Sequence, residues 1–219
     1  MEPIKLVLLG ESGVGKTSII SRFTKDEFDP EQVSSSSAQF ISKEINIDDQ
    51  VINFDIWDTA GQERFRALAK MFYKESQVIV LVYEITNRKS FDAIKNYWYK
   101  EAINNSTAKI YAVVGNKCDL YENEQVSDVE GKNFAKEING IFKLTSAASN
   151  IGINRLFQSI GKKIINPNYC EEENEQKNTN QNNNFTSEGN NNKKLTQTYK
   201  IQKNNVDNKD EKKKKKKCC

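Results

Sequence analysis

Apolar residues in the first three quarters of the chain follow two rhythms in turn. Ile4 to Leu9 is a nearly continuous apolar run, the signature of a strand buried on both faces, and Lys16 to Lys25 follows as a helix. Ile52, Phe54 and Ile56 are apolar while Asn53 and Asp55 between them are polar, the alternation of a strand with one buried face. Ile41 to Ile47 pairs with it through a turn at Asp48-Asp49-Gln50. Gln77 to Tyr83 and Lys109 to Gly115 are further β-branched runs, and Ile141 to Thr145 a shorter one. Helical patterns span Ser90 to Asn104 and Ser127 to Asn139, each opened by a serine suited to N-capping. A last helix, about Ile153 to Ile165, stops before Pro167. Strands alternating with helices predict one α/β domain over residues 1–167, a mostly parallel sheet covered on both faces.

Beyond Asn168 the periodicity vanishes. The stretch EEENEQKNTNQNNNFTSEGNNNKK is rich in asparagine and glutamine and almost devoid of aliphatic residues, so residues 168–211 are expected to form a disordered tether. As a random coil it would span on the order of 40 Å root-mean-square. Residues 212–219 form a separate tail of six lysines, Lys212 to Lys217, followed by Cys218 and Cys219.

This tail changes the reading of charge. The formal net charge is +3, and without those six lysines it would be −3. The folded part therefore lacks the excess basicity of a nucleic-acid binder, and the positive charge serves a local task at one end. The longest apolar stretch, VIVLVY (Val78 to Tyr83), is far too short to cross a bilayer, and MEPIKLVLLG too short in its apolar run for a secretory signal. The four cysteines show neither metal spacing nor a disulfide framework, which favours a reducing cytosol.

Candidate chemistry lies in three loops. GESGVGKT, Gly10 to Thr17, fits G-x-x-x-x-G-K-[ST] between a predicted strand and a predicted helix, the context this motif requires. Its glycines let backbone N–H groups face phosphate oxygens at a helix N-terminus. Lys16 is expected to reach the β- and γ-phosphates and the Thr17 hydroxyl to hold Mg²⁺. WDTAGQERF, Trp57 to Phe65, ends the alternating strand: Asp58 suits Mg²⁺ through water, Gly61 offers an N–H to a γ-phosphate, and Gln62 is placed to orient the attacking water. Asn116-Lys117-Cys118-Asp119 follows another strand, at the sheet edge where open α/β folds bind ligands. A carboxylate at Asp119 accepts from the N1–H and 2-amino groups of guanine, whereas adenine offers neither donor, so the expected nucleotide is GTP or GDP. In Thr145-Ser146-Ala147 the Ala147 N–H is positioned for guanine O6.

Together these motifs resemble the Ras superfamily of small GTPases over residues 3 to about 166, and within it the Rab branch, on the strength of WDTAGQERF, RFRALAKMFYK, LVYEIT (Leu81 to Thr86) and the terminal Cys218-Cys219. The resemblance implies a P-loop GTPase fold: a six-stranded, mostly parallel sheet with one antiparallel edge strand, helices on both faces. It implies a nucleotide site formed by Ser12, Gly13, Val14, Gly15, Lys16, Thr17, Ser18, Phe28 stacked on guanine, Ser35, Gly61, Asn116, Lys117, Asp119, Ser146 and Ala147. Gln62 and Lys16 would be catalytic, and Thr17, Ser35 and Asp58 would serve Mg²⁺. Phe40, Trp57 and Phe72 match the aromatic cluster Rab proteins present to effectors; ordinary packing is the alternative. Implied partners are an exchange factor, a GTPase-activating protein, an escort protein, a GDP-dissociation inhibitor and effectors, acting on a monomer. Geranylgeranylation at Cys218 and Cys219, beside lysines attracted to an anionic leaflet, would place the protein on the cytoplasmic face of endosomal or other vesicular membranes, cycling with the cytosol. The rival readings of the lysine run are nuclear import and RNA binding.

Two departures from the family pattern bear on switching. Nineteen residues after Lys16 the family has Thr-Ile-Gly, and this chain has Ser35-Ser36-Ser37 within a serine run that looks like a linker. Ser35 keeps the hydroxyl and N–H but loses the stiffening β-branch, so a working switch with a softer closed state is expected. Ala148 stands where the pattern has a lysine near the base. A guanine-nucleotide scaffold that does not cycle is the competing reading, and a P-loop kinase has no use for DTAGQ together with N-K-x-D.

Overall fold

The computed structural model describes residues 2–32, 39–59 and 71–169. Ser35 and the serine run, Gly61, Gln62, residues 170–211 of the tether, the polybasic stretch, Cys218 and Cys219 all lie outside the described residues.

Each apolar run of the sequence becomes a strand: β1 (Ile4–Leu9), β2 (Gln39–Ile47), β3 (Gln50–Asp58), β4 (Val78–Glu84), β5 (Ile110–Asn116) and β6 (Ile141–Leu144). They form one six-stranded sheet in the order β2-β3-β1-β4-β5-β6. Every neighbouring pair is parallel except β2 and β3, whose antiparallel ladder puts β2 on the edge. That hairpin closes in two residues, Asp48 and Asp49, with Gln50 already paired to Ile47, so the turn is one residue shorter than expected. Both loop residues have left-handed φ, 45° and 65°. Such a turn matches the right-handed twist of the strands, and Asp tolerates it because its short side chain can bond locally.

β1 is buried on both faces as its unbroken pattern demands. Leu6 and Leu8 join Ile19, Ile20 and Phe23 of α1 (Lys16–Lys25) and Leu156, Phe157 and Ile160 of α5 (Ile153–Ile165) in one core cluster. Phe23 and Phe157 stack there with centroids 3.5 Å apart. Val7 and Leu9 are equally buried, and so are Phe91, Trp98 and Phe134 of the helices over β4 and β5. The rings of Tyr83 and Phe91 meet edge-on at 4.9 Å on that side. α5 ends at Ile165 because Asn166, preceding Pro167, is held extended at φ −128°, ψ 100°.

Gly161 lets α5 approach the hairpin, since a Cβ there would run into the Ile47 side chain. Gly161→Ala should therefore lower stability by about 1–3 kcal/mol through overpacking, outweighing a helix-propensity gain of about 1 kcal/mol. A lowered urea midpoint checks this; a raised one would show that Ile47 simply turns aside.

The serine-capped helices behave differently from each other. Ser127 forms a full capping box with Glu130 at the start of α4 (Asp128–Glu137). Ser90, by contrast, does not cap. α2 (Arg88–Ala93) begins two residues earlier, capped by Asn87, whose side chain accepts from the Ser90 N–H. Ser90 is buried, and its hydroxyl donates to Asn87 O at 2.7 Å and accepts from the Glu84 N–H at 3.0 Å. The rest of this helix is also irregular, passing through a π turn (Ile94–Trp98) before α3 (Tyr99–Asn105). The π turn delivers Trp98 to Glu11 of the loop after β1, indole N–H to carboxylate at 2.9 Å.

Candidate functional site

The loops that carry the sequence motifs all leave the C-terminal ends of parallel strands, so the topology gathers them at one edge. The loop after β1 wraps tightly because three residues adopt positive φ: Gly10 (154°), Gly13 (80°) and Gly15 (93°). Side chains are excluded for two separate reasons. A Cβ on Gly10 would strike the Val82 carbonyl, and one on Gly15 the Asn116 amide nitrogen. Val14 between them is 1% exposed, which anchors the loop in the core, while Ser12 and Gly13 face outward.

Lys16 begins α1 and is only 5% exposed. Its Nζ donates to the carbonyls of Gly10 and Glu11, both at 2.9 Å, so the ammonium lies folded over its own loop. Burial lowers its pKa to about 8, against the opposing pull of the Asp58 and Glu11 carboxylates. A phosphate group arriving there would restore the proton. Well below pH 8 the unliganded Lys16 is already an ammonium and affinity for a nucleoside diphosphate should be flat. Above pH 8 the proton must be taken up on binding and affinity should fall. Calorimetry at pH 8.5 in buffers of different ionisation enthalpy should show proton uptake; its absence would mean that Lys16 stays charged throughout.

Parallel pairing of Leu8 with Asp58 brings the end of β3 beside this loop. The Thr17 hydroxyl, one residue beyond Lys16, donates to Asp58 Oδ2 at 2.5 Å. Asp58 is 1% exposed, and the neighbouring Thr59 hydroxyl donates to Leu8 O at 2.6 Å, pinning the chain as it leaves the strand. A hydroxyl and a carboxylate oxygen this close are hard donors that suit Mg²⁺. Ser18 follows on α1 and is half-buried.

Asn116 joins the loops to one another. It ends β5, is 1% exposed, donates from Nδ2 to Val14 O at 2.8 Å, and accepts from the Thr145 hydroxyl at 3.0 Å. One side chain thus ties the loop after β1 to the loop after β6. Lys117 turns through left-handed φ (61°) and its Nζ meets Glu84 Oε2 at 2.7 Å. The other Glu84 oxygen accepts from the Thr86 hydroxyl at 2.5 Å. Asp119 is half-buried, and among the described residues nothing donates a hydrogen bond to its carboxylate. Cys118 is 2% exposed and its thiol is pushed up to about 12, chiefly by burial and then by the Asp119 charge. A thiol so protonated is inert, in keeping with a variable position of the loop rather than a redox sensor.

The loop after β6 is closed by reciprocal backbone bonds between Ser146 and Ile151, at 2.9 and 3.0 Å, and by the Ser149 N–H donating to the Ser146 hydroxyl. Ala147 is 3% exposed, and among the described residues no acceptor meets its N–H. Ala148 is exposed. Phe28, beyond α1, is 38% exposed.

Phe40 of β2 sits directly across from Trp57 of β3, one residue before Asp58. Their ring centroids are 5.2 Å apart, and Trp57 in turn lies 5.6 Å from Phe72. The three rings expected to cluster do so. Phe40 is 52% exposed, so the row reaches the surface instead of closing into the core.

Sequence reasoning missed the residues that hold the motifs in place: Trp98 on Glu11, Glu84 on Lys117, and Thr59 on Leu8. Glu84 stands inside the LVYEIT stretch, but no local pattern says where its carboxylate points.

The Ras family model matches residues 5–166 of this chain. The human Ras-related protein Rab-22A is 43% identical over 165 residues, which are 75% of this chain and 84% of that protein. The Rab-22A proteins of Mus musculus and Canis lupus familiaris are each 42% identical over the same length and shares. With the phosphate loop, the Thr17–Asp58 pair and the Asn116 tie on one sheet edge, the chain belongs to the Ras family of small GTPases, in its Rab branch.

Proposed function

We propose that this protein is a membrane-anchored molecular switch that binds GTP, hydrolyses it to GDP and so regulates vesicle traffic. The observation that carries the reading is the Asn116 side chain, which bonds the phosphate loop at Val14 and the base loop at Thr145 at once. The site is thereby built to recognise phosphates and base together. In this reading Lys16 sets its ammonium against the β- and γ-phosphates, beside backbone N–H groups of Ser12 to Ser18, and Asp119 and the Ala147 N–H select guanine under the Phe28 ring. Thr17, Ser35 and Asp58 would hold Mg²⁺, which would supply charge neutralisation to the phosphate oxygens. Gly61 senses the γ-phosphate and Gln62 orients water. The reaction needs no covalent intermediate on the protein, and the sequence identifies no arginine finger in cis, so intrinsic turnover is slow and a GTPase-activating protein accelerates it.

The remaining assignments rest on composition and on the resemblance to Rab proteins. Residues 1–167 form the G domain, 168–211 the tether and 212–219 the lipidated tail, with geranylgeranyl groups on Cys218 and Cys219. Two chains hold stably where one is marginal, and the six lysines add attraction for an anionic leaflet. The Ala38-Gln39-Phe40 and LAKMFYK stretches favour the endocytic Rab group and so endosomal membranes. An exchange factor, escort protein and dissociation inhibitor would serve the cycle, and Phe40, Trp57 and Phe72 form the effector patch. The exposed Ala148 favours one alternative, a guanine-nucleotide-binding scaffold that does not cycle.

Competition for a fluorescent GDP analogue in Mg²⁺ tests the core of this reading. Unlabelled GDP and GTP should displace it at least about 10⁴-fold better than ADP and ATP. Equal displacement by adenine nucleotides would exclude a guanine site.

A further inference from the structure

We propose that Arg22 is a positioning residue for the guanine pocket, holding from α1 the loop that faces guanine O6. The inference rests on the guanine-nucleotide reading and deepens it. Arg22 lies in the last turns of α1, with its side chain 15% exposed. Its Nε donates to Ala147 O at 2.9 Å, across 125 residues of sequence. Its other arm donates to Asp26 twice, at 2.7 Å to the backbone carbonyl and 3.0 Å to Oδ1. Asn150 Nδ2 closes the clasp by donating to the same Asp26 Oδ1 at 3.0 Å. Arg22, directly and through the Asp26 carboxylate to Asn150, thus holds the loop after β6 on both sides of Ala148.

The geometry explains how a residue that need not touch the nucleotide can orient it. Fixing the Ala147 carbonyl fixes the peptide that follows Ala147, and the Ser146–Ile151 bonds fix the chain around it. Between them the Ala147 N–H, which meets no acceptor among the described residues, is held in one direction. An exposed alanine at 148 gives the loop no long side chain of its own to anchor it. The anchor is supplied from α1 instead. Because α1 also starts with Lys16 and Thr17, one ten-residue helix positions phosphate contacts at its first turn and the base loop at its last.

Release of GDP and of 6-thio-GDP from the full chain in Mg²⁺, at fixed salt, tests this. Sulfur is a weak acceptor, so 6-thio-GDP lacks most of the O6 interaction while keeping the N1–H and 2-amino groups. Wild type should release 6-thio-GDP about tenfold faster than GDP, the scale of one buried hydrogen bond. Arg22→Met, which keeps the apolar stem, should speed GDP release about tenfold and 6-thio-GDP release by no more than about twofold, so that the ratio collapses. Asn150→Ala should shift the ratio the same way by less, and carries the test if Arg22→Met does not fold. Equal acceleration of both nucleotides would make Arg22 a merely structural residue, and unchanged release would deny it any role. Either result overturns the proposal while wild-type binding leaves the guanine reading intact. If wild type held neither nucleotide, both would fall.

Discussion

Asp119→Asn should convert a guanine site into one that prefers xanthine. The Asp119 carboxylate receives no hydrogen bond from the described protein, so its acceptor capacity is available to a base. Guanine presents two donors side by side, N1–H and the 2-amino group, and a carboxylate accepts both. The carboxamide of asparagine accepts one but turns its own NH₂ toward the other, donor against donor. Xanthine carries an oxygen where guanine carries the amino group, so the amide pairs with it correctly. A site built on such pairing discriminates by roughly 10⁴ when a partner is lost. GDP affinity should therefore fall by about 10³–10⁴ while xanthosine diphosphate becomes the better ligand. Competitive displacement by the two nucleotides measures it. Retained preference for GDP in the variant would mean that Asp119 does not read the base.

Asn116→Ala should cost both stability and binding. The side chain is 1% exposed and satisfies two groups that no water replaces easily, the Val14 carbonyl and the Thr145 hydroxyl. Each polar group left buried and unpaired costs about 1–3 kcal/mol, so a loss of about 2–6 kcal/mol is expected. That is a large share of the roughly 5–15 kcal/mol that keeps a domain folded. The loops after β1 and β6 also lose their tie, so GDP affinity should fall by more than about 100-fold even in molecules that remain folded. Denaturant midpoints with and without excess GDP separate the two effects. A variant with wild-type stability and affinity would show that the loops hold their places without Asn116.

The chain's sequence carried the fold where pattern and structure share a cause. β1 reads as doubly buried because Leu6 and Leu8 serve one face and Val7 and Leu9 the other. The β2–β3 hairpin follows from the alternation at Ile52, Phe54 and Ile56, although its turn proved shorter because Asp48 and Asp49 both accept left-handed φ. Capping by Ser127 was legible since the box with Glu130 is local. Ser90 misled because the same chemistry can act at the third helical position, and Asn87 is the better cap. The π turn before Trp98 had no signal in the spacing of apolar residues. In the site, motif residues were legible one by one, but their supports were not. Glu84, Trp98 and Arg22 reach the motifs from remote positions, and such contacts leave no period in the sequence.

Single-turnover GTP hydrolysis by the intact chain with Mg²⁺, compared with Gln62→Leu and Ser35→Ala, tests the switch most directly. Slow hydrolysis by wild type, reduced by about tenfold or more in each variant, is the expected result if, as proposed, Gln62 orients water and Ser35 takes the place of the γ-phosphate-sensing threonine. Hydrolysis that is absent, or indifferent to both substitutions despite tight GTP binding, would contradict a working switch and leave a nucleotide-binding scaffold in its place.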